Sequence, residues 1–104
     1  MILVTGATGF VGRSLCAALA RSHALRAVAR EPASAQLPPG VEAVSGNLSS
    51  SEDWSGALTD VGVVVHCAAR VHVMNDQSTD PLAEYRRVNV DGTMCLARQA
   101  AQAG

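Results

Sequence analysis

The sequence contains no lysine, since all eight basic residues of the 104-residue chain are arginines. Any site that needs a lysine amine is therefore excluded within it. The chain has eight arginines and nine acidic residues, and its formal net charge is −1. A chain with this balance lacks the basic surface that nucleic-acid binding requires. We therefore expect no nucleic-acid partner.

Long hydrophobic runs are absent as well. The longest nearly apolar stretch, residues 61–69, is far too short to cross a bilayer. Thr5 and Gly6 interrupt the apolar start of the chain almost at once, so the N-terminus lacks the pattern of a signal peptide. These features predict no membrane partner and a cytoplasmic location.

Cysteine is scarce and unclustered. The chain has three cysteines, Cys16, Cys67 and Cys95, which are widely spaced and lie in apolar runs. An odd number of cysteines, with no CxxC motif and no cluster with histidine, is typical of reduced thiols inside a cytoplasmic protein. We therefore predict that the chain holds no metal.

Apolar segments alternate with helical patterns along a chain that is long enough for one domain. Strands are predicted at residues 2–5, 24–29, 41–45 and 61–67. Helices are predicted over residues 10–22, after the serine run 49–51 and from residue 80 to about 103, with a helical turn at 33–36. Asp80 is expected to cap the last helix and Pro81 to occupy its first turn. This alternation predicts an α/β fold, in which helices cover both faces of a parallel sheet.

Three glycines follow the first predicted strand in the stretch VTGATGFVGRSL. In a parallel sheet this turn lies at the carboxyl edge, where ligands bind. The helix that begins near Gly9 would present unpaired N–H groups and the positive end of its dipole, which suits a pyrophosphate. In this interpretation Gly6 allows the tight turn, Gly9 admits the phosphates and Gly12 lets the helix pack closely. The alternative is a turn without a ligand, because the spacing departs from the G-x-G-x-x-G fingerprint.

Four motifs resemble the extended short-chain dehydrogenase/reductases, which include the NAD(P)-dependent epimerases and dehydratases of nucleotide sugars. TGATGFVG resembles their T-G-x-x-G-x-x-G signature, and GNLSS resembles the segment after their third strand. VVVHCAA resembles their V-x-H-x-A-A strand, and VNVDGTMCLARQA resembles the helix that follows. The segment ARVHVMNDQSTDPLAEYRRVNVDGT points most toward members similar to UDP-glucose 4-epimerase. The resemblance implies a partial Rossmann-type sheet of about four strands in the order 3-2-1-4.

The resemblance also implies that NAD or NADP binds along the carboxyl edge of the sheet. The residues expected to bind it are Gly6, Thr8, Gly9, Phe10, Val11, Gly12, Arg30, Asn47, Leu48, Ala68, Ala69, Arg70 and Asn89.

Arg30 bears on the choice between the two cofactors. It ends the second strand, where an acidic residue would hold the ribose hydroxyl of NAD and an arginine can accept the 2′-phosphate of NADP. We therefore favour NADP. Glu31 follows directly and keeps NAD open, and an exposed arginine with no ligand is a third interpretation.

Asn47 stands where the family carries an aspartate that bonds the adenine amino group. Its amide oxygen can accept the same bond, although an asparagine in a turn needs no ligand. Ala68 and Ala69 would let the dinucleotide lie flat against the backbone, or would simply pack. The resemblance gives Asn89 a structural and relay role against the fourth strand, and places Arg70 beside the nicotinamide and substrate. For His66 and His72 we expect no acid–base role.

The catalytic pair of the family is missing. Its members use a tyrosine whose pKa is lowered by a lysine four residues later. The one tyrosine here, Tyr85, is followed at that distance by Asn89. We therefore expect no catalytic residue, and interpret residues 1–104 as the N-terminal part of an NAD(P)-binding domain. The rest of that domain and the substrate domain would belong to a longer protein, and this chain alone would be inactive.

For the longer protein the resemblance implies a nucleotide-sugar epimerase or dehydratase that works by transient hydride transfer at C4. Two alternatives stay open: a reductase or dehydrogenase of hydroxysteroid or flavonoid-like substrates, and a non-catalytic NAD(P)-sensing module. Without a fifth strand, the apolar fourth strand would expose its edge, and such edges tend to pair with another copy. This predicts a homo-oligomer through that edge or through the last helix.

Overall fold

A four-stranded parallel sheet forms the centre of the chain. The structure, a computed structural model, describes residues 1–49, 51–69 and 80–104. The sheet order is β3-β2-β1-β4, where the strands are β1 (Ile2–Thr5), β2 (Leu25–Ala29), β3 (Glu42–Ser45) and β4 (Val63–His66). This confirms the predicted order. Because β2 and β4 lie on opposite sides of β1, the strand order changes direction at β1, and ligands of such sheets bind at the carboxyl edge near this point.

The strand registers bring the carboxyl ends of the strands to one edge of the sheet. Thr5 at the end of β1 pairs with His66 at the end of β4. Ala29 at the end of β2 pairs with Ser45 at the end of β3. The segments that follow the four strands therefore start side by side.

Helix α1 (Phe10–Leu19) follows β1, and one continuous helical segment ends the chain. This segment consists of α2 (Pro81–Arg86), a π-helical turn (Arg87–Gly92) and α3 (Thr93–Ala103). Its predicted start is confirmed, because the Asp80 carboxylate accepts a hydrogen bond from Ala83 N at 3.1 Å and Pro81 is the first helical residue. The π-helical turn was not predicted.

The helix predicted after the serine run does not form in the described residues 51–62, which adopt turns instead. Side chains from distant parts of the sequence form hydrogen bonds with backbone N–H and C=O groups that would bond to each other in a helix. The Arg26 guanidinium donates to the carbonyl oxygens of Ala57 and Thr59 at 2.6 and 2.7 Å. The Gln99 amide accepts from Trp54 N at 2.7 Å and donates to the Glu52 carbonyl oxygen at 2.8 Å. The helix prediction was therefore wrong, because contacts from β2 and α3 fix this segment.

Smaller differences concern element ends. Helix α1 ends at Leu19, since the N–H groups of Ser22 and His23 both bond to the Leu19 carbonyl oxygen and close the chain in a turn. β4 is shorter than predicted at both ends. The helical turn in the proline-rich loop is a 3₁₀ helix at Pro32–Ser34.

Hydrophobic residues pack on both faces of the sheet, as predicted. Successive residues of β1 point to opposite faces, so that Val4 packs with Cys16 of α1 and Leu3 packs with Leu96 of α3. Trp54 and Leu58 from the turn segment complete the second cluster. None of the helices in the described ranges is both long and apolar enough to cross a membrane.

Candidate functional site

The glycine turn between β1 and α1 is built by two close backbone approaches. Gly6 has a positive φ of 65°, and a Cβ there would lie 2.6 Å from Ala68 N. A Cβ at Gly12 would lie 1.9 Å from the Gly6 carbonyl oxygen. The fold itself therefore requires glycine at these two positions.

Gly9 is different, because the fold does not demand it. Among the described residues, a Cβ at Gly9 would come within 4 Å of the Gly6 carbonyl oxygen alone, at 3.3 Å. Its φ of −79° suits any residue. The space in front of Gly9 is open and faces the start of α1.

The first turn of α1 has N–H groups without an intrahelical partner beside this open space. The helix's hydrogen bonds begin with Arg13 N to the Gly9 carbonyl oxygen at 2.9 Å. The N–H groups of residues 10–12 precede that bond and have no intrahelical partner. Gly9 provides no side-chain cap, and the first turn has no acidic residue. The positive end of the helix dipole therefore remains available to an anion.

A cleft of about 800 Å³ opens at the carboxyl ends of the strands, in front of this turn. A cleft of this size can hold a cofactor. The residues that line it come from the ends of the strands, from α1, from the turn segment 51–62 and from the last helical segment: Gly6, Thr8, Gly9, Phe10, Val11, Gly12, Val28, Ala29, Arg30, Gly46, Asn47, Leu48, Trp54, Cys67, Ala68, Ala69, Arg87 and Val88.

All of the residues predicted from the sequence to bind a cofactor line this cleft, except Arg70 and Asn89. Arg70 lies outside the described residues, as does His72. Asn89 belongs to the π-helical turn, directly after Val88, which does line the cleft. The structure thus brings the predicted residues together around one space, and their role in binding stays a prediction.

A side pocket of about 460 Å³ adjoins the cleft at the end of β2. It shares Arg30 with the cleft and adds Arg13 from α1, which sequence reasoning missed. Arg13 lies one helical turn after Gly9, so its spacing from the glycine could have indicated the same face. The Ser34 hydroxyl in this pocket lies 3.4 Å from a carboxylate oxygen of Glu31 and can donate to it.

The floor of the cleft is held by the Thr5 hydroxyl. Its oxygen accepts hydrogen bonds from Cys67 N at 3.1 Å and Ala68 N at 3.2 Å. The same oxygen lies 2.6 Å from His66 Nδ1, and His66 Nε2 lies 2.9 Å from the Thr93 hydroxyl oxygen. Burial lowers the pKa of His66 below its ordinary value of 6.5, so the ring is neutral near pH 7.

Trp54 lies beneath the cleft and was also missed as a site residue. It is 2% exposed, and a Cβ at Gly46 would come within 2.8 Å of its ring. Its indole Nε1 is buried with no hydrogen-bond partner in the described part of the chain. No pattern in the sequence indicates this position, because Trp54 reaches the cleft through the turn segment that replaces the predicted helix.

The thiols differ in their surroundings. Cys16 is buried under the glycine turn, and burial raises the pKa of its thiol, with a smaller contribution from Cys67. Cys67 lines the cleft. Over residues 1–49, 51–69 and 80–104, no group of three or more His, Cys, Asp or Glu residues could hold a metal ion.

Comparison with known proteins gives one family. The family model described as "NAD dependent epimerase/dehydratase family" matches residues 2–104. A UDP-glucose 4-epimerase from Vibrio cholerae is 40% identical over 105 residues, which cover 99% of this chain and 31% of that protein. A 3-beta-hydroxysteroid dehydrogenase from Mycolicibacterium neoaurum is 34% identical over 108 residues, covering 99% and 29%. The chain therefore spans about a third of the length of these relatives.

Solved structures agree with this match. The structure of MoeE5 in complex with UDP-glucose and NAD has a TM-score of 0.78 and 36% identity, and covers 99% of this chain and 33% of that one. UDP-glucuronic acid 4-epimerase from Bacillus cereus, in complex with UDP-glucuronic acid and NAD, has a TM-score of 0.70 and 28% identity. That match covers 98% of this chain and 35% of that one.

Proposed function

Since the chain belongs to the NAD-dependent epimerase/dehydratase family, we propose that its cleft binds a nicotinamide dinucleotide. The pyrophosphate would rest on the N–H groups of residues 10–12. The observation that carries this proposal is the open space at Gly9, which the packing of the described residues does not explain. A phosphate oxygen that approaches the backbone there does explain it.

The order of the strands supports one orientation of the ligand. Along the carboxyl edge, the sheet order β3-β2-β1-β4 corresponds to Asn47, Arg30, the glycine turn and Ala68. The adenine would lie near Asn47, its ribose near Arg30, the pyrophosphate on the turn and the nicotinamide toward Ala68. The Asn47 amide oxygen would accept a bond from the adenine amino group.

We further propose that NADP binds more tightly than NAD. Two arginines, Arg13 and Arg30, line the side pocket where the adenosine ribose would project, and both could bond a 2′-phosphate. The Glu31 carboxylate, which would repel that phosphate, is within reach of the Ser34 hydroxyl. Similar structures contain NAD, so a direct comparison of the two cofactors is needed.

Separate titrations of the 104-residue chain with NADPH and NADH test this preference. We expect NADPH to bind at least about tenfold more tightly, since a hydrogen bond to a charged group is worth about 1.5–3 kcal/mol and about 1.4 kcal/mol is a factor of ten in affinity. Arg30→Ala and Arg13→Ala should each weaken NADPH binding and leave NADH binding unchanged. Arg21→Ala, on an exposed residue beyond the end of α1, is the matched control. Equal affinities, or a preference for NADH, would reject the assignment.

For the whole protein we propose a nucleotide-sugar epimerase or dehydratase. The 40% identity to a UDP-glucose 4-epimerase supports a UDP-sugar substrate, which would meet the nicotinamide end of the cleft. A second candidate is a dehydrogenase of the same superfamily. It is supported by the 34% identity to a 3-beta-hydroxysteroid dehydrogenase. The chain has no lysine and so cannot supply a Tyr-x-x-x-Lys pair. It should therefore show no turnover by itself.

We also propose that the protein acts in the cytoplasm, where its free thiols stay reduced.

We further propose that copies of the chain associate with one another. Two surfaces support association. Val63 on β4 is 55% exposed at the edge of the sheet. Leu82, Val90 and Met94 are exposed on the last helical segment at spacings that favour one face.

A further inference from the structure

His66 lies between two hydroxyl groups that come from different elements. One ring nitrogen, Nδ1, is 2.6 Å from the hydroxyl oxygen of Thr5 at the end of β1. The other, Nε2, is 2.9 Å from the hydroxyl oxygen of Thr93 at the start of α3. Both nitrogens are therefore engaged, and the proposed cofactor contacts use neither of them.

The hydrogen bonds of Thr5 determine where the proton of the ring sits. The Thr5 hydroxyl oxygen accepts from Ala68 N and from Cys67 N, which also donates to the Thr5 carbonyl oxygen at 3.2 Å, so both lone pairs of the hydroxyl face backbone donors. Its own proton is left to donate, and His66 Nδ1 is the acceptor within reach. Nδ1 then carries no proton, and the neutral ring holds its proton on Nε2, which donates to Thr93.

The two ends of this relay adjoin the cleft from different sides. Thr5 holds the backbone at Ala68, which lines the cleft and lies so close to Gly6 that a Cβ there would clash. Thr93 directly follows the π-helical turn, whose Arg87 and Val88 also line the cleft. The imidazole is thus a spacer of fixed length between the floor of the cleft and the helix beside it.

Resting on the dinucleotide cleft proposed above, we propose that His66 is a positioning residue of that cleft. As the Nε2–H tautomer it joins the Thr5 hydroxyl to the Thr93 hydroxyl, and so fixes the distance between the Ala68 backbone and the π-helical turn. The ring takes no part in proton transfer to a substrate.

Nuclear magnetic resonance of the histidine nitrogens tests the tautomer without any cofactor. In the 104-residue chain labelled with ¹⁵N-histidine, His66 should show an unprotonated Nδ1 and a protonated Nε2 above pH 7. His66→Gln assigns the signal by removing it from those of the other two histidines. A protonated Nδ1, or the averaged signals of a freely exchanging ring, would overturn the proposal.

A matched pair of variants tests the positioning. Thr93→Val keeps the shape of the side chain and removes the acceptor, whereas Thr93→Ser keeps the hydroxyl. We expect Thr93→Val to shift the amide signals of Ala68 and Val88 in the cofactor-free chain and to weaken NADPH binding about three- to tenfold. Thr93→Ser should restore both to near wild-type values.

The outcomes separate this proposal from the function on which it rests. If the wild-type chain is folded but binds neither NADPH nor NADH, the proposed function fails, while the tautomer and the amide shifts still decide the relay. If Thr93→Val leaves the signals of Ala68 and Val88 unmoved, or if Thr93→Ser is as damaging as Thr93→Val, the positioning role is wrong.

Discussion

Individual residues around the cleft are fixed by two kinds of constraint, one from the chain and one from its proposed ligand. Gly6 and Gly12 belong to the first kind, because a side chain at either would collide with backbone atoms. Gly9 belongs to the second, because the chain would accommodate a Cβ there with a small shift. The same motif therefore contains two residues that folding requires and one, Gly9, whose proposed role is in binding.

The cysteine thiols should differ in their rates of alkylation. Cys67 lines the cleft, whereas Cys16 is 1% exposed and burial raises the pKa of its thiol. Because the thiolate is the reactive form, iodoacetamide should alkylate Cys67 well before Cys16 in the folded chain. NADPH should slow the labelling of Cys67 and leave that of Cys95 unchanged. Mass spectrometry of timed samples measures both rates, and labelling of Cys67 at equal rates with and without NADPH would contradict the proposed site.

His66 gives a second prediction, for stability against pH. Burial lowers its pKa in the folded chain below 6.5, so the unfolded chain binds more protons in the range just below that value. The free energy of unfolding should therefore decrease as the pH falls below about 6.5. Urea denaturation at a series of pH values checks this. His66→Gln should flatten that part of the profile, and an unchanged slope in the variant would assign the effect to other groups.

At the scale of elements, the segment between β3 and β4 depends on one buried arginine. Arg26 on β2 donates to two carbonyl oxygens of this segment and pairs with Glu42 at 3.0 Å. Arg26→Met removes both carbonyl bonds and should lower the free energy of unfolding by roughly 2–4 kcal/mol. The carboxylate of Glu42 is half exposed, so Glu42→Gln should cost less than about 1 kcal/mol. Chemical denaturation measures both, and equal costs would show that the ion pair dominates instead.

Local patterns predicted most of the elements, and the places where they failed have a common cause. The strands and the Asp80 cap follow from nearby residues, so the sequence pattern was sufficient for them. Residues 51–62 failed because Arg26 and Gln99, far away in the chain, hold their backbone groups. The pattern of residues within the segment does not indicate that Arg26 and Gln99 bind it.

For the cleft too, positions set by local sequence were predicted, and positions set by distant contacts were missed. Residues at strand ends and in the glycine turn were predicted, because a parallel sheet gathers these positions at one edge. Trp54, Arg87 and Arg13 were missed, since their places depend on how the turn segment and the helices pack. The pairing of His66 with Thr5 and Thr93 depends on the strand register and could not be read from spacing.

For the whole molecule, the exposed edge and helix face predict association of copies. Size-exclusion chromatography with light scattering should show a dimer or a larger assembly at micromolar concentration. Val90→Glu would disrupt the helix face and Val63→Lys the edge of β4, so the variant that yields a monomer identifies the surface used. Ser14→Glu, on an exposed position of α1, serves as the control. A wild-type chain that is monomeric at all concentrations would contradict the prediction.

A comparison of two glycine variants decides whether the open space at Gly9 accepts the pyrophosphate of a dinucleotide. Energy transfer from Trp54, the one tryptophan, to bound NADPH reports affinity, and urea denaturation reports stability. Gly56→Ala is the control, because no atom of residues 1–49, 51–69 or 80–104 lies within 4 Å of the added Cβ. We predict that Gly9→Ala weakens NADPH binding at least about tenfold, with stability within about 1 kcal/mol of wild type, and that Gly56→Ala binds like wild type. If Gly9→Ala binds NADPH as tightly as the wild type does, the pyrophosphate does not rest at Gly9.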